Sequence, residues 1–228
     1  MRTISCGIIT PLGRSGSDWM NCTMEIIDIG AGSGAWVIQA AEMFSDAQVL
    51  TADISPLPPR PFPPNVSYEE LDIMNPLAAI DVAESFDVVH IRFVFYHIPK
   101  GHIKAGLKNA TRVLKPDGWL LIEEFGQRVG QEASKGPTAT VEEVYIGMLR
   151  SKGMDPIIGE HLEEHMRELD CYSEMNSKCV RLTVTTDEER AGICVAYFVC
   201  EFLFLRSNTG NGIAFERSKS YVREDHDG

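Results

Sequence analysis

The densest chemical signal in this chain is the stretch Asp28-Ile29-Gly30-Ala31-Gly32-Ser33-Gly34. Glycines at alternate positions let a backbone turn sharply and pass close to a ligand, because no β-carbon stands in the way. A helix starting just after them would add unpaired N–H groups at the same place. Gly30, Gly32 and Ala35 also satisfy the dinucleotide fingerprint, so the turn alone does not choose a cofactor, and a purely structural tight turn remains open. Asp28 narrows the choice. A carboxylate just ahead of the first glycine suits the ammonium of a cationic amino-acid group and does not suit a pyrophosphate.

Further acids follow at the ends of apolar runs. Asp53 closes the run Val49 to Ile54, where a carboxylate can accept both hydroxyls of a ribose; Ile54 is read with it as part of the same site. In Leu71-Asp72-Ile73 the acid can accept from an adenine amino group or simply cap the next helix. His90 and Arg92, in the run Phe86 to Val94, are also candidate cofactor-site residues. His90 reads equally as a packed, hydrogen-bonded histidine. Arg92 suits an anionic or polar substrate, or an ion pair with Glu123 or Glu124. The candidate catalytic residues are His97 and Tyr96. His97 could act as a base for a hydroxyl or protonated amine, or close a loop through its backbone; Tyr96, like Phe95, could equally be pocket wall. Trp36 reads as packing. No metal is expected, because none of the six cysteines forms a CxxC pair or precedes a histidine at zinc-finger spacing.

The elements that must position these groups follow from the hydrophobic pattern. Met24 to Ile29 is a short apolar run ending in glycines, as in a buried parallel strand. Ala35 to Phe44 carries apolar residues at helical spacing, and Val49 to Ile54 is the next strand. A proline cluster from Pro56 to Pro64 can only be an extended loop. Val66 to Leu71 and Phe86 to Val94 are strands, His102 to Leu114 a helix, Lys115-Pro116-Asp117-Gly118 a turn, and Trp119 to Phe125 a fifth strand. This alternation indicates an α/β fold with a doubly wound, mostly parallel sheet. Beyond it, Val141 to Lys152 and His161 to Leu169 read as helices, Cys179 to Val184 as a strand, and Asp187 to Arg206 as helical. We expect a poorly structured segment over 1–23, one domain over 24–206 and a polar, flexible tail over 207–228.

Composition excludes several function classes. With 44% apolar and 24% charged residues among 228, the chain can bury a full core. Its net charge of −12 argues against a sequence-independent grip on nucleic-acid phosphates. The longest apolar run, Ile193 to Leu205, spans 13 residues and contains Glu201, short of the roughly 20 a membrane helix needs. Met1 to Thr23 lacks the unbroken apolar stretch of a signal peptide. We therefore expect an intracellular, cytoplasmic protein without membrane contact.

Phe86-Asp87-Val88-Val89-His90 and the stretch Val113 to Glu124, with its Leu-Lys-Pro-x-Gly-x-Leu pattern, resemble class I S-adenosylmethionine-dependent methyltransferases. The stretch from Met24 to Phe125 as a whole is similar to that family. In detail, "TADISPLPP", "PPNVSYEELDI" and "FDVVHIR" resemble the fungal LaeA-like methyltransferases. The resemblance implies a Rossmann-like, seven-stranded sheet with S-adenosyl-L-methionine over the carboxyl ends of the first two strands. It implies Asp28, Gly30, Ala31, Gly32 and Gly34 near the methionine portion, Asp53 on the ribose and Asp72 near the adenine. It further implies a small-molecule methyl acceptor, plausible in fungal secondary metabolism. A methyltransferase-like regulator, which would place the protein in the nucleus, stays open, as does a nicotinamide-dependent oxidoreductase. Two departures from the family pattern are expected: a thin N-terminal cover and no recognisable final strand hairpin.

Overall fold

The computed structural model describes residues 23–75, 83–125, 144, 146–181 and 199–207. The expectations for the N-terminal segment and the tail fall outside them, apart from Thr23 and Ser207, as do 141–143 and 145 of the expected helix and the link at 76–82. The elements are β1 (Glu25–Ile29), α1 (Ala35–Met43), β2 (Gln48–Asp53), β3 (Val66–Glu70), β4 (Phe86–Arg92), α2 (Ile103–Val113), β5 (Leu114–Phe125), α3 (Ile158–Arg167), β6 (Tyr172–Arg181) and β7 (Val199–Ser207). The strands join in the order β3-β2-β1-β4-β5-β7-β6. From β3 to β5 every pairing is parallel, and β7 runs antiparallel to both β5 and β6. The expected doubly wound, mostly parallel sheet is present. Strand order reverses between β1 and β4, which opens a crevice beyond their carboxyl ends.

Both faces of the central strands are covered, which is why β1 reads as an almost continuous apolar run. Ile26 and Val49 pack under α1 with Trp36, Val37, Ala40 and Ala41. Ile27, Ile29, Val89 and Ile91 face the other way, into a larger cluster with α2 and α3. On α2 the buried residues are Ile103, Gly106, Leu107, Ala110 and Val113, one apolar stripe at helical spacing. Completely burying a side chain such as Leu107 stabilises by about 2 kcal/mol. At the end of α1, the Asn65 side-chain amide donates to the carbonyls of Ala41, Phe44 and Ala47. These include carbonyls that the helix end leaves without intrahelical donors.

At the amino ends of the strands, Asp87 Oδ2 accepts from the Glu25 N–H at 2.9 Å and from Lys115 Nζ at 2.8 Å. That carboxylate fastens the starts of β1, β4 and β5 together. The predicted Lys115–Gly118 turn does not precede the fifth strand but interrupts it. Phe86 is in register with Leu114 and Val88 with Trp119, so extra residues loop out between them, with Asp117 at φ 63°.

The C-terminal part departs from expectation. The helix predicted from Asp187 to Arg206 is replaced, where described, by strand β7, and residues 182–198 lie outside the described set. A short apolar run without alternation fits a buried strand as well as a helix, and Val199-Cys200-Glu201-Phe202-Leu203-Phe204 carries β-branched and aromatic residues that favour strand. The sixth strand begins at Tyr172 rather than Cys179; its Ser, Asn and Lys residues hide it from a propensity reading. The β6–β7 ladder, from Tyr172 opposite Ser207 to Arg181 opposite Val199, is the final antiparallel pair that the sequence did not reveal. Residues 146–151 are helical, and α3 starts ahead of His161. Among the described residues, no helix is long and apolar enough to cross a membrane.

Candidate functional site

The turn after β1 puts Gly30, Gly32 and Gly34 at φ 77°, 55° and 72°, the left-handed region that favours glycine. Their surroundings differ. A β-carbon on Gly30 would lie 2.2 Å from Val94 Cγ2, and one on Gly34 2.8 Å from Phe62 Cε1, whereas one on Gly32 would meet nothing within 4 Å. Gly30 and Gly34 are therefore required by the protein's own packing, and Gly32 borders open space. The Gly32 N–H donates to Asp53 Oδ2 at 2.8 Å, and the Ser55 N–H donates to Oδ1 at 3.0 Å. The Gly30 and Ala31 N–H groups both donate to the Ala52 carbonyl. Turn and β2 tip thus form one unit, with Ile54 beside it, 67% exposed. Over the start of α1 lie Phe62 and Arg60, whose Nη1 donates to the Ser33 carbonyl at 2.9 Å.

Beneath the turn lies a buried row of charge. Asp28 Oδ1 is 2.7 Å from His90 Nδ1, and His90 Nε2 is 3.3 Å from Glu123 Oε1. Asp28 and Glu123 are buried, His90 is fully enclosed, and Trp36 stacks on its ring at 3.8 Å and 7°. A carboxylate oxygen faces each ring nitrogen, an arrangement that suits an imidazolium donating from both. Burial by itself disfavours that charge, but Asp28 and then Glu123 outweigh it and raise the His90 pKa above its ordinary value. Thr51, in register with Asp28, is buried, and its hydroxyl has no hydrogen-bond partner among the described residues.

The sequence places His90 among the cofactor residues. The structure buries its ring with both nitrogens engaged, which leaves neither nitrogen for a ligand. Its pairing was missed, although the alternation of side chains along β1, β4 and β5 would have put all three on one face once the register was known.

At the end of β4, Phe93 has φ 58° and its N–H donates to the Glu123 carbonyl at 2.9 Å. A bulky residue held there stores on the order of 1–3 kcal/mol of strain, a condition found at functional tips. Arg92 does not pair with Glu123 or Glu124. Glu123 turns to His90, and Glu124 accepts from the Tyr96 N–H at 3.1 Å, while the guanidinium carbon lies 6.0 Å from the Phe93 ring centre. Tyr96 packs in the large apolar cluster with Phe95, so its expected place at the pocket surface is corrected. His97 is exposed; its N–H closes the loop onto the Val94 carbonyl, and its ring lies edge-on to Tyr96 at 5.7 Å. Asp72 accepts from the Met74 N–H and Asn75 Nδ2, both at 2.9 Å, and so caps its own turn. Ile73 is in the core and its carbonyl accepts from Asn109, which leaves only its main chain for a ligand. The fold thus brings together Asp28, the glycine turn, Asp53 and Ile54, and withdraws Ile73, His90 and Tyr96.

Comparison with known proteins agrees with this arrangement. Residues 14–172 match the family described as "Methyltransferase domain". "Methyltransferase str2" of Strobilurus tenacellus is 38% identical over 167 residues, covering 70% of this chain and 58% of that protein. "Secondary metabolism regulator LAE1" of Cochliobolus heterostrophus is 32% identical over 170 residues, covering 71% of this chain and 53% of that protein. Among solved structures, the phosphoethanolamine N-methyltransferase 2 of Haemonchus contortus in complex with S-adenosyl-L-methionine aligns with a TM-score of 0.56 at 17% identity, covering 82% of this chain and 49% of that one. The matched part thus spans little more than half the length of such relatives. The family match over residues 14–172 places this chain in the methyltransferase domain family.

Proposed function

We propose that this chain binds S-adenosyl-L-methionine across the carboxyl ends of β1, β2 and β4 and transfers its methyl group to a small-molecule acceptor in fungal secondary metabolism. The observation that carries this reading is Gly32, the one glycine of the turn with open space beside it among the described residues, tied to Asp53 above a buried Asp28. Asp28 offers its charge to the ammonium of the methionine part, and Asp53 has lone pairs left for the ribose hydroxyls. Ile54 gives the base an apolar neighbour, and Asp72 stands near the adenine. Phe62 stands against Gly34 at the start of α1, where a pyrophosphate would be held, which favours a cofactor without one.

When bound, the cofactor supplies an electrophilic methyl carbon, so the residues of this chain mainly orient the partners and exclude water. Arg92, at the tip of β4 and in no ion pair with the described residues, is suited to hold an anionic or polar acceptor. His97, exposed on the following loop, is placed to take a proton if the acceptor is a hydroxyl or protonated amine. The net charge of −12 disfavours nucleic acid as the acceptor. Calorimetric titration with S-adenosylmethionine and with NAD(P) tests the cofactor assignment; binding of NAD(P) alone would overturn it.

The similarity to a protein named a secondary metabolism regulator supports a second reading, a cofactor-binding regulator in the nucleus rather than a cytoplasmic enzyme. Release of S-adenosylhomocysteine in the presence of a small-molecule extract supports the enzyme. Binding without turnover in any extract supports the regulator.

A further inference from the structure

We propose that His90 is a positioning residue of the cofactor site, clasped between Asp28 and Glu123 against Trp36 so that the Asp28 carboxylate is held in one place beneath the glycine turn. This rests on the cofactor reading above. The clasp draws on separate elements: Asp28 from β1, His90 from β4, Glu123 from β5 and Trp36 from α1. From β2 the same row receives only the neutral hydroxyl of Thr51.

The physical reason is the cost of an isolated buried carboxylate. At 2% exposure, the Asp28 carboxylate is costly to hold without a partner. His90 Nδ1, 2.7 Å from Asp28 Oδ1, supplies that partner and fixes the carboxylate in place. Glu123 on the far side balances the imidazolium charge from the other ring nitrogen. The flat face of Trp36 stabilises the same charge through its π-system. If Glu123 were absent, Asp28 and His90 would largely neutralise each other and the turn would present little charge. A neutral imidazole fits this geometry poorly, because its unprotonated nitrogen would face a carboxylate lone pair.

Two ligands separate positioning from general structural support. S-adenosylhomocysteine carries the amino-acid end; 5′-methylthioadenosine carries the same nucleoside without it. In calorimetric titrations, His90→Gln should weaken S-adenosylhomocysteine about tenfold, the scale of one charge-assisted hydrogen bond, and leave methylthioadenosine unchanged. Glu123→Gln should act in the same direction by about threefold, and serves if His90→Gln does not fold. In wild-type protein labelled with nitrogen-15, both ring nitrogens of His90 should carry protons at pH 7. Equal losses for the two ligands, no loss for either, or a neutral His90 ring would each overturn the proposal. A wild-type chain that binds neither ligand would instead overturn the cofactor reading on which it rests.

Discussion

The two faces of the central sheet are built from the same strands yet differ in kind. On the side of α2 and α3, Ile27 and Ile29 of β1, Val89 and Ile91 of β4, and Leu120 and Ile122 of β5 are all apolar and buried. On the side of α1 the strands begin apolar, with Ile26 and Val88, and turn polar toward their carboxyl ends, with Asp28, His90, Arg92 and Glu123. One face holds the sheet together by burial alone. The other gives up some of that at the strand tips for a charged cluster, whose buried ions are costly unless paired. The proposed site lies where the burial pattern is broken.

Substitutions on the two faces should fail differently. Asp28→Ala leaves His90 without its nearest carboxylate, and breaking such a buried pair should cost about 3–5 kcal/mol in chemical denaturation and abolish S-adenosylhomocysteine binding. Leu107→Ala, on the opposite side, should cost about 2–5 kcal/mol through a cavity, yet bind the ligand normally while folded. If Leu107→Ala lost binding as completely as Asp28→Ala, the division of labour between the faces would be wrong.

The charged face should also show in pH. Because the folded-state pKa of His90 is raised, its stabilisation is complete below the unfolded value near 6.5 and is lost as pH rises through the folded value. Denaturation midpoints of the wild type should therefore fall on the alkaline side more steeply than those of His90→Gln. Parallel curves would remove His90 from the account.

Gly32→Val sharpens the comparison further. Open space surrounds the position, so the expected cost in stability is only about 1–2 kcal/mol of left-handed strain, but the ligand should no longer bind. Retained affinity would mean that the turn has been misassigned. The smallest effect belongs to the periphery: Lys104 and Glu168 pair at 3.2 Å with both side chains half exposed, and Lys104→Ala should change stability by less than about 1 kcal/mol.

Much of this was legible in the sequence, for identifiable reasons. Strands β1, β2 and β4 are short apolar runs punctuated by glycine, proline or acid, and their tips carry Asp28, Asp53 and Arg92. The contact between Asp28 and His90 spans 62 residues, and no local pattern gives the register that makes it. The segments that carry the family resemblance also act partly away from the site, since Asp87 and Lys115 fasten the amino ends of the strands. Ile73 and Tyr96 could not be placed from type alone. An apolar or aromatic residue next to a strand tip can face a pocket or the core, and here both face the core. Strand β6 was misplaced because a polar strand at the edge of the sheet carries little hydrophobic signal.

The most direct test of the central claim is a structure of the chain with S-adenosylhomocysteine bound. The account expects the ligand amino group within hydrogen-bond distance of the Asp28 carboxylate, the ribose hydroxyls on Asp53, and the ligand passing over Gly32. A nucleoside bound elsewhere, with Asp28 engaged only by His90, would contradict it.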